Sequence, residues 1–170
     1  MDESSRNRRV GARQIALGGL LAACVTAATL LSVPLPGFRL YFNMGEGIIY
    51  TIALTRGPFY AAAAGGIGAS LADLILGYPL WAPFTLVIKG LEGFLVGALR
   101  KNRLLALAVG MSVMIAGYTT LAGILYGWKA APVEFVTDVL QSGIGAAIAL
   151  LLTRALGRFT GKSEGNQGNS

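Results

Sequence analysis

The sequence predicts an all-α integral membrane protein, with six transmembrane helices in one compact bundle and both termini in the cytoplasm. Of its 170 residues, 54% are hydrophobic and 13% are charged, whereas about a quarter of the residues in soluble domains are charged. Several apolar stretches reach the roughly 20 residues that a helix needs to cross the hydrocarbon core. The basic residues also fall mainly in segments that alternating spans would place on one side of the membrane.

The predicted helices follow from the apolar runs in chain order. Residues 14–33 carry no charge, and this run is longer than the apolar core of a usual signal peptide, so we expect it to remain as the first helix. The second run, 47–55, is too short to cross alone and must begin near Asn43. Four further runs are long enough to cross the membrane on their own, at residues 57–76, 80–99, 104–127 and 133–153. We therefore expect a membrane domain over residues 13–158, with cytoplasmic tails at 1–12 and 159–170.

The basic residues decide the orientation, because Lys and Arg are retained on the cytoplasmic side of membranes. With the N-terminus inside, Arg39 and Lys129 lie outside and Lys89 lies within the membrane. The remaining basic residues lie inside: Arg6, Arg8, Arg9, Arg13, Arg56, Arg100, Lys101, Arg103, Arg154, Arg158 and Lys162. This topology accounts for the net charge of +6, so lipid is an expected partner and nucleic acid is not.

Several kinds of functional site have no counterpart in the sequence. Cys24 is the single cysteine and there is no histidine, so no disulfide framework or metal site is expected. No glycine-rich nucleotide-binding motif is present. We therefore predict that the chain itself holds neither a metal nor a cofactor.

Small residues recur at four-residue intervals in three of the predicted helices. Such spacing lets helices approach closely in lipid, and in the third and fourth helices we expect it to serve packing within the bundle, as at Ala61 with Gly65 and Gly93 with Gly97. The first helix carries small residues on more than one face. A docking surface for another membrane protein is therefore expected on this helix, whose small residues include Gly19, Ala23 and Ala27; the resemblance described below assigns these three to docking.

Polar residues form stripes along two helices that both enter from the outside. Trp81, Thr85 and Lys89 are spaced so that they share one face of the fourth helix. Glu134, Asp138 and Gln141 do the same on the sixth helix, and Tyr118 of the fifth helix reaches a similar depth. At about 1.5 Å of rise per residue, Lys89 lies roughly 12 Å below Trp81. We expect the three helices to enclose a polar, aromatic-rimmed cavity in the outer half of the membrane.

Lys89 has two possible roles in such a cavity. A lysine in the middle of a membrane helix costs about 2.5 to 3.5 kcal/mol on insertion scales and usually faces a cavity or a partner. It could form a buried ion pair with Glu92, Asp73 or Asp138 that fixes helix packing. Because buried pairs often fail to stabilise a fold relative to apolar residues, we favour a contact with a ligand or an ion pathway. For Trp81, an interfacial position facing lipid is an equally strong alternative.

Three stretches of the chain resemble the S components of energy-coupling factor transporters. They are "YFNMGEG", "GGIGASLADLILGYPLWAPFTLVIKGLEGFLVGAL" and "PVEFVTDVLQSGIGAAIALLL". The resemblance covers roughly residues 12–157 and is closest to the branch that carries riboflavin, hydroxymethylpyrimidine and related vitamins. It implies a six-helix protein of the prokaryotic plasma membrane that binds a vitamin from outside. It also implies docking of the first helix on a transmembrane T component, two cytoplasmic ATPases, and toppling of the S component to release its cargo.

The resemblance and the polar stripes together give the predicted ligand contacts. They are Asn43, Glu46, Trp81, Thr85, Lys89, Tyr118, Glu134, Asp138 and Gln141. The family often has Asp where this chain has Glu46, and an amide near the position of Asp138, where a carboxylate can only accept hydrogen bonds. A ligand the size of hydroxymethylpyrimidine or pyridoxine is the first expectation and riboflavin the second.

Two other function classes remain open at this stage. A small proton-coupled secondary transporter would use Lys89, Glu92 and the acids of the sixth helix as a proton relay. An integral membrane enzyme would use the carboxyl groups as acid and base, but the sequence offers no nucleophile with a base partner. We therefore do not expect an enzyme.

Overall fold

Six helices and a short antiparallel sheet follow one another in the computed structural model, which describes residues 11–34 and 41–164. The elements are α1 (Ala12–Leu30), β1 (Ser32–Pro34), β2 (Tyr41–Asn43), α2 (Gly45–Arg56), α3 (Pro58–Leu76), α4 (Ala82–Ala98), α5 (Arg103–Tyr126) and α6 (Ala131–Glu164). Most of the two expected tails lies outside the described residues, as do Arg6, Arg8, Arg9 and Arg39.

The helical fold class is confirmed, and each expected helix has a counterpart. Four helices are long and apolar enough to cross a membrane: α1, α3, α5 and the part of α6 up to Gly157. The other two are shorter, since α2 has 12 residues and α4 has 17. The sheet was not expected from the sequence. It pairs Ser32 with Asn43 and Pro34 with Tyr41, and thus places the end of α1 beside the start of α2.

The connection between α2 and α3 is a single glycine. Gly57 has a φ of 93°, a conformation that favours glycine over residues with a Cβ atom. Pro58 follows at the first position of α3, where the missing N–H has no consequence. The Arg100 side chain lies beside Gly57. The α2–α3 and α4–α5 connections therefore lie at the same end of the molecule.

Close packing through small residues holds α3 between α1 and α4. Ala61 and Ala64 of α3 are fully buried. A Cβ atom on Gly68 would lie 2.5 Å from the carbonyl oxygen of Ala22 in α1, and one on Gly93 would lie 2.6 Å from that of Ala61. These contacts confirm that the small residues of the third and fourth helices serve packing within the bundle.

The elements that carry the expected ligand contacts surround the opposite end of the bundle. Helix α2 packs against α3, α4 and α6, while α5 packs against α4 and α6. A buried cluster of Trp81, Met114, Tyr118, Leu121 and Ala122 fills the space between the start of α4 and the final turns of α5. The polar residues of α2, α4 and α6 can therefore meet beside this aromatic cluster.

Candidate functional site

All nine residues that the sequence predicted as ligand contacts are buried in the structure, with exposed fractions between 1% and 8%. They come from β2, from the residue that precedes α4, and from α2, α4, α5 and α6. Hydrogen bonds, an ion pair and ring contacts connect seven of them directly: Asn43, Glu46, Trp81, Thr85, Lys89, Tyr118 and Gln141.

The start of α2 brings Glu46 into this cluster. The Asn43 side-chain oxygen accepts a hydrogen bond of 2.9 Å from the backbone N–H of Gly45, so it satisfies a donor in the first turn of the helix. Across from it, a Cβ atom on Gly145 of α6 would collide with the Cβ of Glu46. The absence of a side chain at Gly145 therefore lets α2 place Glu46 directly against α6.

A buried lysine between two carboxylates forms the centre of the site. The Lys89 ammonium contacts Glu46 Oε1 and lies 3.1 Å from Glu92 Oε2. The Tyr50 hydroxyl donates a 2.6 Å hydrogen bond to Glu92 Oε1. An ammonium has three donors; Lys89 contacts Glu46 and Glu92, and its Nζ lies over the face of the Tyr118 ring, 5.1 Å from the ring centroid.

These contacts give Lys89 different partners from those expected. Of the candidates for an ion pair, Glu92 is in contact with Lys89, whereas Glu46 was not anticipated. The carboxyl groups of α6 were expected to share the hydrogen bonds of Lys89. Among the described residues, Lys89 instead forms its ion pairs with Glu46 and Glu92, and none with Asp138.

Gln141 connects three elements around the same centre. Its amide nitrogen donates a 2.9 Å hydrogen bond to Glu46 Oε1, and its oxygen accepts one of 2.7 Å from the backbone N–H of Asn43. Both hydrogen bonds are buried, where an unmade bond is costly. Gln141 therefore fixes β2 and α2 against α6.

An aromatic wall closes one side of the site. The Trp81 and Tyr118 rings lie 5.8 Å apart at 36°, and the indole N–H of Trp81 donates a 2.8 Å hydrogen bond to the Tyr126 hydroxyl. The Tyr118 hydroxyl in turn donates to Thr85 Oγ1 at 3.0 Å. Trp81 is thus an interior residue, whereas Trp128 is 70% exposed as a residue of the interfacial belt would be.

Two carboxyl groups in the site keep an oxygen with neither a hydrogen bond nor an ion-pair contact among the described residues. These oxygens are Asp138 Oδ2 and Glu46 Oε2. Glu134, one helical turn before Asp138, is also buried. Ionised carboxylates only accept hydrogen bonds. The arrangement can therefore receive donors from a bound molecule beside the aromatic wall.

Two supporting contacts in the structure were not predicted from the sequence. The Tyr50 hydroxyl donates to Glu92, which itself contacts Lys89 as one of the expected candidates, and the Tyr126 hydroxyl accepts from Trp81. Tyr50 lies four residues after Glu46 and so shares its helix face; this spacing was the available signal. No local pattern pairs Trp81 with Tyr126, because 45 residues separate them.

The residues predicted for partner docking lie together on α1. Gly19, Ala23 and Ala27 are all exposed, while the opposite face of α1 buries Ala22, Val25 and Thr29. A groove of about 660 Å³ runs beside this face, and its lining includes Gly18, Gly19, Phe59, Tyr60 and Ile67. A Cβ atom on Gly19 would meet nothing within 4 Å. The small residues of this face are therefore not required for packing within the chain.

Comparison with known proteins identifies the family of the chain. The family profile described as "ECF-type riboflavin transporter, S component" matches residues 10–158. The chain belongs to this family. It is 42% identical over 144 residues to an "Uncharacterized protein in gap 3'region" of Pyrococcus woesei, with 78% of this chain and 97% of that protein covered. It is 31% identical over 131 residues to the "Thiamine precursor transporter HmpT" of Lactococcus lactis subsp. cremoris (strain MG1363), with 76% and 78% covered.

Membership confirms the resemblance seen in the sequence, including its riboflavin and hydroxymethylpyrimidine branch. The protein is the substrate-binding membrane subunit of an ECF transporter. It is a multi-pass protein of the prokaryotic plasma membrane. The buried polar cluster therefore lies in a protein whose family handles small water-soluble molecules.

Proposed function

We propose that this S component captures a water-soluble vitamin or vitamin precursor from outside the cell and delivers it inward. A hydroxymethylpyrimidine- or pyridoxine-like compound is the first candidate and riboflavin the second. The observation that carries this proposal is the cluster of buried carboxylate, amide, lysine and aromatic groups in an otherwise apolar protein. Such groups are expensive inside a membrane and usually mark a substrate path. The similarity to a thiamine precursor transporter supports the first candidate.

The proposed contacts divide by chemistry. Trp81 and Tyr118 stack on a planar ring, because aromatic faces supply a large apolar contact in a fixed orientation. Glu46, Glu134 and Asp138 accept hydrogen bonds from its substituents. The amide groups of Asn43 and Gln141, the Thr85 hydroxyl and the third donor of Lys89 complete the site. A few convergent polar groups beside aromatic rings are typical of small-molecule pockets.

All six helices are proposed to cross the membrane, with both termini in the cytoplasm. The 12 residues of α2 rise about 18 Å, less than the roughly 30 Å core, so we propose that β2 completes its crossing. The position of Arg100 beside Gly57 supports this topology, because it puts the basic residues of the α2–α3 and α4–α5 connections at one end. Reporter fusions at both termini should report the cytoplasm.

The exposed small-residue face of α1 is proposed to dock on a T component, and two cytoplasmic ATPases complete the transporter. Gly19, Ala23 and Ala27 allow a partner helix to approach closely. The adjoining groove, with Phe59 and Tyr60 in its lining, extends the same surface onto α3. In this arrangement the chain catalyses no reaction itself, because ATP is hydrolysed by the separate subunits.

The ligand can be identified from the protein as it is purified. Mass spectrometry of small molecules released by denaturation should detect a heterocyclic vitamin or precursor in stoichiometric amount. Titration of the ligand-free protein with that compound should show saturable binding. A purified, monodisperse protein that carries none and binds none of hydroxymethylpyrimidine, pyridoxine, thiamine or riboflavin would contradict the proposal.

A further inference from the structure

The groove beside α1 opens because α1 and α3 separate toward the end where α1 begins. Farther along, the two helices are in close contact: the Thr26 hydroxyl donates a 2.9 Å hydrogen bond to the carbonyl oxygen of Gly68, and a Cβ atom on Gly68 would lie 2.5 Å from the carbonyl oxygen of Ala22. Nearer the start, residues 12–16 are all exposed, and a Cβ atom on Gly18 would meet nothing within 4 Å. The groove of about 660 Å³ occupies this gap. The described part of the chain therefore leaves one side of α1 open.

Two arginines lie at the same end of the groove. Arg56, the last residue of α2, is part of its lining, and the Arg100 side chain lies beside Gly57. Both arginines are exposed. Among the described residues, neither forms an ion pair with a carboxylate. Positive charge that these residues do not neutralise therefore adjoins an apolar groove.

The length of the groove matches one leaflet of a bilayer. Its lining on α3 extends from Pro58 to Ile67, which at about 1.5 Å of rise per residue is roughly 14 Å. The hydrocarbon core is about 30 Å thick, so one leaflet contributes about half of that. Apolar side chains such as those of Ile15 and Phe59 line this length. In the proposed topology, the two arginines lie at the cytoplasmic surface, at the level of the inner-leaflet headgroups.

We propose that the groove holds one acyl chain of an anionic phospholipid, whose negatively charged headgroup binds Arg56 and Arg100. A lipid chain is as apolar as a membrane helix, so the apolar contact alone selects no particular lipid. The selection comes from the headgroup, because basic pockets between membrane helices attract anionic headgroups. The lipid fills the groove of the free subunit and leaves Ala23 and Ala27 open to the T component. This inference rests on the proposed topology for the choice of leaflet, but not on which vitamin is bound.

Two lipids with identical acyl chains, phosphatidylglycerol and phosphatidylcholine, test the role of headgroup charge in the wild-type protein. The purified chain in detergent is titrated with each lipid, and native mass spectrometry counts the lipids bound per monomer. We expect one tightly bound phosphatidylglycerol, with a preference over phosphatidylcholine of about fivefold for each arginine in contact. Equal affinity for the two lipids would overturn the proposal, and so would a dimer that forms in place of the lipid complex. A monomer that binds neither lipid would also overturn it and leave the groove to the T component.

Arg56→Gln should lower the affinity for phosphatidylglycerol about fivefold, because it removes one positive charge from the headgroup end of the groove. The affinity for phosphatidylcholine should stay unchanged. Arg103→Gln is the matched control, since Arg103 is exposed but lies on α5, which packs against α4 and α6 rather than beside the groove. Equal losses in the two variants would reveal a general effect of net charge and contradict the assignment to Arg56.

Gly18→Leu tests the groove itself. The added Cβ atom meets nothing within 4 Å, so the fold should tolerate the change, while the longer side chain enters the groove and excludes the acyl chain. Gly143→Leu on α6 is the matched control, because its Cβ atom also meets nothing within 4 Å. We expect loss of the bound phosphatidylglycerol in Gly18→Leu alone, and retention at the wild-type level would overturn the placement of the lipid. A wild-type protein that binds this lipid but no vitamin would contradict the proposed function alone.

Discussion

At the residue scale, Lys89 lies on the interior face that the sequence predicted, but it contacts a carboxylate that the sequence did not predict. The spacing from Trp81 predicted correctly that Lys89 lies on an interior face. Its contact with Glu46 could not be read from the sequence, because 43 residues separate the two and the contact depends on how α2 meets α4. Lys89 therefore has a structural part, to hold two carboxylates, as well as its proposed contact with the ligand.

Lys89→Met should destabilise the fold. The change leaves Glu46 and Glu92 buried without their cation, and the loss of one partner from a buried ion pair costs about 3 to 5 kcal/mol. We expect a clear fall in the midpoint of thermal unfolding in detergent. Lys129→Met is the matched control, since Lys129 is exposed, and it should leave the midpoint unchanged. Equal midpoints for both variants would contradict the structural role.

At the element scale, the small residues of α1 predicted close helix contacts but not which face of the helix makes them. The recurrence of Gly and Ala predicted close contacts, and the structure assigns one face of α1 to α3 through Ala22 and Val25. The sequence could not tell the two faces apart by composition, because both carry small residues. Burial distinguishes them: Gly19, Ala23 and Ala27 remain exposed.

Ala23→Leu should weaken assembly with the T component and leave ligand binding by the isolated protein intact. A large side chain on the exposed face prevents the close approach of a partner helix. Ala147→Leu on α6 is a suitable control, because Ala147 is also exposed but lies on a helix that packs on α2 and α5. Co-purification yield with the T component and ATPases decides the matter. Wild-type yield for Ala23→Leu would remove α1 as the docking surface.

Gly93→Ala should disrupt the contact between α3 and α4. The added Cβ would lie 2.6 Å from the carbonyl oxygen of Ala61 and 2.8 Å from its carbon, so one of the two backbones must move. Gly143→Ala on α6 meets nothing within 4 Å and should raise stability by up to about 1 kcal/mol through helix propensity. Opposite shifts of the two unfolding midpoints are expected. A stabilised Gly93→Ala variant would show that this contact is not close.

At the scale of the whole molecule, hydrophobic run length predicted the helices well because each helix must satisfy its own backbone in lipid. The β1–β2 pair escaped prediction, since three residues per strand are too few for a recognisable alternation. The end of α6 was not predicted correctly either, for a different reason. The apolar run stops near Thr153, but the helix continues to Glu164, because water as well as lipid permits a helical backbone.

The same scale separates an ECF subunit from a proton-coupled carrier, in which Lys89, Glu92 and the acids of the sixth helix would form a proton relay. An ECF subunit binds its ligand alone but cannot accumulate it without its partners. A secondary carrier would need no other protein. The two cases differ in what drives uptake, while binding to the purified chain is common to both.

Uptake of labelled hydroxymethylpyrimidine into proteoliposomes tests the central claim most directly. The chain should be reconstituted alone with a pH gradient across the membrane, and separately with its T component and both ATPases with and without ATP. We predict accumulation only in the complete complex supplied with ATP. Accumulation by the chain alone, driven by the pH gradient, would contradict the assignment of its transport role.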